Sequence, residues 1–225
     1  MNKIKGIIFD FDGVLFDSLH ANLAYYNTVF EAFGAPPVTA DDGDKMLLCH
    51  TANSARVFEV LLGEEKRDAA LAFAADLDFH RFVPLMELEP GLLPALRDLH
   101  QSVTLAVATN RSGSTYAILE HFDLARYFRT VVTCQDVTRP KPDPEMLLLA
   151  AARIGAARDE VLYVGDSELD RRAAEAAGVA EGTLFRVFGT KEELVRAVMA
   201  HAFDPAPLIA GLREIDTGLP LRERL

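Results

Sequence analysis

Three short runs of mainly apolar residues, rich in Val and Ile, mark the chain. They cover 4–9, 103–108 and 161–164, and each gives way to polar residues or glycine at its carboxyl end. Largely continuous apolar runs of this length are typical of strands buried on both faces, as in parallel sheets. Because helical patterns separate these runs, the sequence predicts an α/β fold with a Rossmann-like parallel sheet core flanked by helices.

A long helical pattern follows the first strand, from Ser18 to about Leu88. Apolar residues recur at helical spacing, and Pro36 and Pro37 break the chain after the first helix. Three helical stretches are predicted, from Leu19 to Gly34, from Met46 to Leu62 and from Glu64 to about Phe82. The sequence therefore predicts a helical insertion between the first strand and the rest of the sheet.

The carboxyl-terminal part predicts one more strand and one more helix. The strand is predicted from Thr183 to Phe188, and the helix opens on the capping box Thr190-x-x-Glu193. From about Asp204 onward, frequent Pro and Gly residues predict a short helix and a loosely held tail.

Two acids lie where the first strand ends. Asp10 and Asp12 are separated by one residue at the start of a turn at Gly13. The turn and a strand-end cap can explain both acids structurally. Alternatively, both carboxylates can turn toward one ligand once the chain has left the strand. On this segment alone, both interpretations stay open.

Polar residues also end the other predicted strands. Thr109 and Asn110 follow the second run, Asp166 follows the third, and Lys141 lies between prolines just before a helical pattern. In open parallel sheets, ligands bind at the carboxyl ends of the strands. These four residues and the two acids after the first strand are therefore candidates for one site.

Composition narrows the choice of protein class. At 225 residues, with 50% hydrophobic and 25% charged residues, the chain fits a globular protein with one large domain or a core plus a smaller module. A net charge of -11 argues against a nucleic-acid surface. Two cysteines are too few for a disulfide framework, and neither a signal peptide nor a membrane span is recognised. We expect a cytoplasmic protein without membrane or nucleic-acid partners, and the oligomeric state stays open.

Taken together, the motifs resemble those of the haloacid dehalogenase superfamily, in its phosphatase branch, which includes phosphoglycolate phosphatases and β-phosphoglucomutase-like proteins. The motifs occur in the expected order: Asp10-x-Asp12-Gly13-Val14, a strand ending in Thr109, Lys141 in a proline-rich loop, and Gly165-Asp166-Ser167-x-x-Asp170. The helical insertion after the first strand is similar to the cap domain of this superfamily. The resemblance thus implies an α/β catalytic core over 1–16 and 88–225 and a small helical cap over 17–87.

The resemblance also implies a role for each matched residue. Asp10 would be the nucleophile that forms an aspartyl phosphate, and Asp12 would be the general acid and base. Thr109, the amide nitrogen of Asn110 and the Lys141 side chain would bind the phosphoryl group. The protein is therefore expected to act on a small phosphorylated metabolite.

Magnesium is the implied cofactor. A hard cation prefers oxygen ligands, and His and Cys are absent from these motifs, which argues against zinc. Asp10 and Asp166 would provide side-chain ligands and Asp12 its backbone carbonyl, while Asp170 would act in the metal's outer shell. Asp170 also forms a plausible capping pair with Ser167 at the start of a helix.

Two other functions remain open beside the phosphatase. A β-phosphoglucomutase-like phosphomutase would use the same aspartyl phosphate, although the segment from Lys45 to His50 does not match the cap motif expected of it. The second alternative is a catalytically silent binding protein with the same fold. Lys45, His50, Asn53 and Arg56 are candidates for substrate contacts from the cap, or for a solvated helix face.

Overall fold

The computed structural model describes residues 4–183. Within this range the strands are β1 (Gly6–Phe9), β2 (Phe16–Asp17), β3 (Glu87–Leu88), β4 (Thr104–Ala108), β5 (Phe128–Val132), β6 (Val161–Gly165) and β7 (Ala180–Thr183). Five of them form a parallel sheet in the order β5-β4-β1-β6-β7, while β2 and β3 form a separate antiparallel pair. The predicted parallel sheet is confirmed, and β1 lies at its centre.

Helices cover both faces of the sheet. The α-helices are α1 (Leu19–Ala32), α2 (Gly43–Thr51), α3 (Ser54–Leu62), α4 (Glu64–Ala75), α5 (Leu92–His100), α6 (Ser114–His121), α7 (Glu145–Arg153) and α8 (Glu168–Ala177). Single 3-10 turns lie at Phe79–Arg81, Val83–Leu85, Ala125–Tyr127 and Arg158–Glu160. Within β1, Ile7 and Phe9 pack in one hydrophobic cluster with α5 and α6, and Ile8 packs in another with α7 and α8. Alternate residues of a strand point to opposite faces, so the continuous apolar run fills both layers.

The segment between β2 and β3 has a hydrophobic cluster of its own. Residues of α1, α3 and α4 meet there around Tyr26, Phe30 and Phe58, whose rings lie 5.7 to 6.4 Å apart between centroids. Aromatic pairs at such distances stabilise a small core. We take this cluster as support for a separate cap, while the domain bounds at 16/17 and 87/88 remain a prediction.

Two of the predicted helices differ from those observed. The single helix predicted from Met46 to Leu62 is wrong, because the chain breaks between α2 and α3, where the Asn53 side chain accepts a hydrogen bond from Arg56 N. Such an amino-terminal cap starts a new helix. The helix predicted from Glu64 to Phe82 ends at Ala75, and 3-10 turns follow.

The two connections between the sheet and this helical segment run side by side. Phe16 pairs with Leu88, and Asp17 pairs with Glu87, in an antiparallel register. In addition, Glu89 N donates to Leu15 O at 3.1 Å. The chain therefore leaves the sheet and returns to it at one place.

The last described strand, β7, begins at Ala180, three residues before the predicted start. The rest of that predicted strand, the predicted helix at Thr190 and the predicted tail lie outside the described residues. None of the helices between residues 4 and 183 combines the length and the hydropathy that crossing a bilayer requires.

Candidate active site

The carboxyl ends of neighbouring strands bring the candidate residues together. Asp10 follows β1, Thr109 follows β4 and Asp166 follows β6. Because β1 lies between β4 and β6, these three side chains begin at one edge of the sheet. Lys141, from the loop between β5 and α7, reaches the same place, with its Nζ 2.7 Å from Asp10 Oδ1.

Asp10, Asp166 and Asp170 form what we call the carboxylate cluster. Each offers an oxygen, and these oxygens all lie within 4.8 Å of one another. Burial, followed by the charge of Asp170, raises the pKa of Asp10 well above its ordinary value, although Lys141 opposes this shift. Burial, again followed by Asp170, raises the pKa of Asp166 to about 6. Crowded carboxylates of this kind favour a bound cation or a proton.

Lys141 supplies positive charge to the cluster. Its Nζ lies 2.6 Å from Asp170 Oδ1, in addition to the contact with Asp10, and donates to the Tyr163 hydroxyl at 3.0 Å. Burial would lower the pKa of Lys141, but Asp10 and Asp170 raise it above its ordinary value. Lys141 is therefore an ammonium ion in direct contact with two members of the cluster, Asp10 and Asp170.

Asp170 is held on both of its oxygens. Oδ1 accepts hydrogen bonds from Lys141 and from the Tyr163 hydroxyl, the latter at 2.5 Å, and Oδ2 accepts from Ser167 N at 3.0 Å and from Ser167 Oγ. Ser167 and Asp170 also form the capping box that starts α8. Helix capping and a place in the site are thus compatible. Because both oxygens already have partners, Asp170 is suited to orienting Lys141.

Two glycines make room for the acids. A β-carbon at Gly13 would lie 1.9 Å from Asp166 Oδ2, and one at Gly165 would lie 2.4 Å from Asp170 Cβ. Gly13 also has a φ of 73°, in the left-handed region that favours glycine. The Asp-Gly pair after β1 is therefore a turn as well as part of the site.

Asp12 lies among a different set of partners. Its Oδ1 accepts hydrogen bonds from Arg111 Nη1 at 2.8 Å, from Asn22 Nδ2 at 3.2 Å and from Ser18 Oγ. We call Arg111 and Asn22 the Arg111 clamp. The sequence interpretation missed Ser18, Asn22, Arg111 and Tyr163. Two weak signals were present: the i, i+4 spacing of Ser18 and Asn22, and the position of Arg111 directly after the end of β4.

Thr109 and Asn110 also make contacts within the site. Thr109 Oγ1 accepts from Arg111 N at 3.1 Å. The Asn110 side chain brackets the Lys141 backbone, accepting from its N at 2.9 Å and donating to its O at 3.1 Å, and also donates to Thr51 O at 3.2 Å. The side chain of Asn110 thus fixes the lysine loop. Phosphate binding by its amide nitrogen remains a prediction.

A cavity of about 840 Å³ opens over these residues. Its walls include Asp10, Asp12 and Lys141 on the sheet side and His50 and Asn53 on the helical side. Of the four candidates for substrate contacts from the cap, only His50 and Asn53 are among the described residues that line it. Arg56 instead pairs with Glu59 on the exposed face of α3 at 3.1 Å.

The fold and the site together define an α/β enzyme with a cluster of buried and partly buried carboxyl groups at the carboxyl end of its sheet. The chain belongs to the haloacid dehalogenase-like hydrolase family, whose sequence pattern matches residues 7–182. The predicted membership of this superfamily is confirmed.

Relatives and solved structures agree with this family. Phosphoglycolate phosphatase 1 of Pseudomonas aeruginosa is 33% identical over 184 residues, which cover 77% of this chain and 66% of that protein, just under two thirds of its length. The phosphoglycolate phosphatase of Rhodobacter capsulatus is 32% identical over 178 residues, covering 77% of this chain and 80% of that protein. The crystal structure of a hydrolase of the same superfamily (subfamily IA, variant 1) from Geobacter sulfurreducens is 42% identical, with a TM-score of 0.69, and covers 79% of this chain and 88% of that chain.

A second and shorter match, to bacterial regulatory proteins of the tetR family, covers residues 171–198. In the structure, α8 packs against the sheet and β7 pairs in parallel with β6. Residues 171–183 are therefore part of the hydrolase fold, and the rest of this match lies outside the described residues.

Proposed function

We propose that this protein is a magnesium-dependent phosphomonoesterase that hydrolyses a small phosphorylated metabolite through an aspartyl phosphate. The observation that carries the proposal is the position of Asp10. Its carboxylate lies 2.7 Å from the Lys141 ammonium and beside two further carboxylates, in the wall of a cavity. A phosphoryl group bound there would meet an oxygen nucleophile and a fixed positive charge together.

The chemistry of the donor set fits magnesium. The carboxylate cluster offers oxygen atoms only, which a hard cation prefers over the nitrogen and sulfur ligands typical of zinc. Asp10 and Asp166 would hold the ion with their side chains and Asp12 with its backbone carbonyl. Asp170 would act in the outer shell of the metal, because its oxygens already accept hydrogen bonds from Lys141, Tyr163 and Ser167. When bound, the ion would screen the repulsion between the nucleophile and the anionic phosphoryl group.

Two aspartates carry the bond changes in this proposal. A carboxylate oxygen of Asp10 forms a bond to phosphorus while the bond from phosphorus to the leaving oxygen breaks, and Asp12 gives that oxygen a proton. Water then attacks the same phosphorus and loses a proton to Asp12. The phosphorus–oxygen bond to Asp10 breaks, inorganic phosphate leaves, and both aspartates return to their starting forms.

Three groups are proposed to hold the phosphoryl oxygens. Thr109 and the amide nitrogen of Asn110 lie just after β4, beside Asp10 at the end of the neighbouring strand β1. Lys141 is fixed by its contacts with Asp10 and Asp170 and by the Asn110 bracket on its backbone. A cation fixed in this way needs little rearrangement when charge develops on the phosphoryl group.

The helical segment is proposed to be a cap domain over 17–87, on a core of 1–16 and 88–225. It has its own hydrophobic cluster, and two of its residues, His50 and Asn53, form part of the cavity wall. A cap in this position would exclude water other than the attacking molecule from the aspartyl phosphate. The paired connections at β2 and β3 would be its hinge.

The substrate and the location of the protein follow from different observations. Two relatives are phosphoglycolate phosphatases, so phosphoglycolate is the first compound to test. Cys49 and Cys134 are both free thiols, which suits a reducing compartment, and we propose the cytoplasm. Neither the phosphomutase nor the silent binding protein is favoured by these relatives.

Phosphate release from phosphoglycolate and from 4-nitrophenyl phosphate, with magnesium and after chelation, tests the function. We expect turnover by the wild type with magnesium only, and none by Asp10→Asn, because the amide is not a nucleophile. Asp68→Asn is the matched control, since Asp68 is 81% exposed on α4 and should keep full activity.

Full turnover by Asp10→Asn would show that another residue attacks phosphorus. A wild type that releases no phosphate from a broad set of metabolite phosphates would argue for the silent binding protein. Conversion of a sugar phosphate to its isomer without phosphate release would identify a phosphomutase.

A further inference from the structure

The guanidinium of Arg111 is nearly buried and is shared between two residues of the site. Its side chain is 11% exposed. Nη1 donates to Asp12 Oδ1 at 2.8 Å and to Asn22 Oδ1 at 3.1 Å, and Nη2 donates to Asn22 Oδ1 at 2.8 Å. The forked, planar guanidinium makes such paired contacts in one orientation only.

Two aromatic rings restrict the same group. The Arg111 Cζ atom lies 5.4 Å from the centroid of the Phe11 ring and 5.6 Å from that of Phe79. Contacts between a cation and a ring at these distances are attractive and limit rotation of the side chain. Phe11 lies between Asp10 and Asp12, so the ring, the acid and the guanidinium are fixed together.

The partners of Arg111 come from both parts of the molecule. Arg111 lies in the loop after β4, whereas Asn22 lies on α1 and Phe79 lies in the 3-10 turn that follows α4. Asn22 Nδ2 also donates to Asp12 directly. Asp12 therefore has this arrangement only while α1 and the 3-10 turn are packed against the sheet.

We propose that Arg111 is a positioning residue: by its contact with Oδ1 it holds the Asp12 carboxyl group in line for transfer of that group's proton to the leaving oxygen, with Asn22 as its brace. This inference rests on the proposed function, in which Asp12 protonates that oxygen. Loss of the clamp would let the carboxylate turn about its side-chain bonds, and a poorly placed acid transfers a proton slowly.

The leaving group separates positioning from binding. 4-Nitrophenyl phosphate and phenyl phosphate have similar shapes. However, 4-nitrophenolate leaves readily without being protonated, whereas departure of phenolate depends more strongly on protonation by a general acid. The ratio kcat/KM reports the steps through departure of the leaving group, and so excludes the later hydrolysis of the aspartyl phosphate.

The experiment measures kcat/KM for both aryl phosphates in wild type, Arg111→Met and Arg111→Lys. Arg111→Met keeps the long side chain but removes the fork. We expect it to lower kcat/KM for phenyl phosphate about 100-fold, at the lower end of the range for general acid catalysis. For 4-nitrophenyl phosphate we expect kcat/KM to fall only about tenfold. Arg111→Lys keeps the charge but not the fork, so an intermediate loss is expected.

Arg126→Met is the matched control, because Arg126 pairs with Asp123 at 2.8 Å on the surface and is 56% exposed. It should leave both substrates unchanged. Asn22→Leu, alone and combined with Arg111→Met, tests the brace. If the two residues act as a unit, the double variant should lose little more than Arg111→Met alone.

Equal losses on both substrates would overturn the inference and assign Arg111 to substrate binding or to folding. No loss on either would overturn it as well. Should Arg111→Met fail to fold, Arg111→Lys and Asn22→Leu answer the same question through the same substrate comparison. Failure of the proposed function is distinct, because the wild type itself would then be inactive on both substrates.

Discussion

The two ends of the site are held by different parts of the chain. The carboxylate cluster is fixed within the sheet and its loops, where Lys141, Tyr163 and Ser167 bond its members. Asp12, only two residues from Asp10, depends instead on Arg111 and on Asn22 from α1. These partners of Asp10 and Asp170 thus lie outside the helical segment, apart from the indirect contact of the lysine loop with Thr51 O through Asn110, whereas Asp12 bonds Asn22 of that segment directly.

Removing the Lys141 ammonium group beside the carboxylate cluster should cause the largest loss of stability and activity. Lys141→Met leaves Asp10 and Asp170 buried beside each other without their ammonium partner. We expect the free energy of unfolding to fall by about 3–5 kcal/mol in urea titrations. We also expect kcat/KM on 4-nitrophenyl phosphate to fall about 100- to 1000-fold.

Lys5→Met is the comparison for that variant. Lys5 lies 2.7 Å from Glu160, but its side chain is 60% exposed, so little change is expected. Unfolding of Lys141→Met at the same urea concentration as the wild type would mean that the cluster does not depend on its lysine.

Moving one carboxylate of the cluster should have a smaller effect. A β-carbon in Gly13→Ala would meet Asp166 Oδ2 at 1.9 Å. We expect displacement of Asp166 and about 10- to 100-fold weaker magnesium binding by calorimetric titration.

Gly34→Ala separates that contact from backbone strain. Gly34 has a φ of 69°, close to that of Gly13, but nothing lies within 4 Å of the place that an added β-carbon would take. Both variants should lose about 1–2 kcal/mol of stability from the left-handed backbone. Unchanged magnesium affinity in Gly13→Ala would place Asp166 outside the metal site.

The smallest effect is expected from Tyr163→Phe. Burial raises the pKa of Tyr163 well above its ordinary value, so the phenol keeps its proton. Its hydroxyl donates a hydrogen bond to Asp170 Oδ1 at 2.5 Å. Loss of this bond to a buried carboxylate should lower the free energy of unfolding by about 1–3 kcal/mol and kcat/KM about tenfold.

Tyr116→Phe provides the control, because its hydroxyl bonds Val131 O from a side chain that is half exposed. Its activity should match the wild type. Equal activity of Tyr163→Phe and the wild type would show that Ser167 and Lys141 alone are enough to hold Asp170.

The sheet and the cluster could be expected from local patterns. Ile7 and Ile8 are both buried, one on each face, so β1 is apolar throughout, which marks a strand of a parallel sheet. Parallel strands then bring Asp10, Thr109 and Asp166 to one edge without further information. Their catalytic roles remain predictions.

The remaining contacts depend on packing between distant parts of the chain. Arg111 meets Asn22 across 89 positions, and nothing in either local sequence specifies that contact. Tyr163 resembles any other apolar residue of a buried strand until its hydroxyl is placed beside Asp170. The break between α2 and α3 was missed because the apolar pattern continues across it, while one Asn53 side chain starts the new helix.

The pairing of β2 with β3 has a consequence for how such a molecule can vary. Because the departing and returning chains lie side by side, a segment of another length or sequence can be grafted between them without stretching the five-stranded sheet. The side chains of the carboxylate cluster would stay unchanged, because all three lie outside the exchanged segment. Selectivity can therefore diversify by exchange of one contiguous module, provided that the replacement supplies its own counterpart to Asn22.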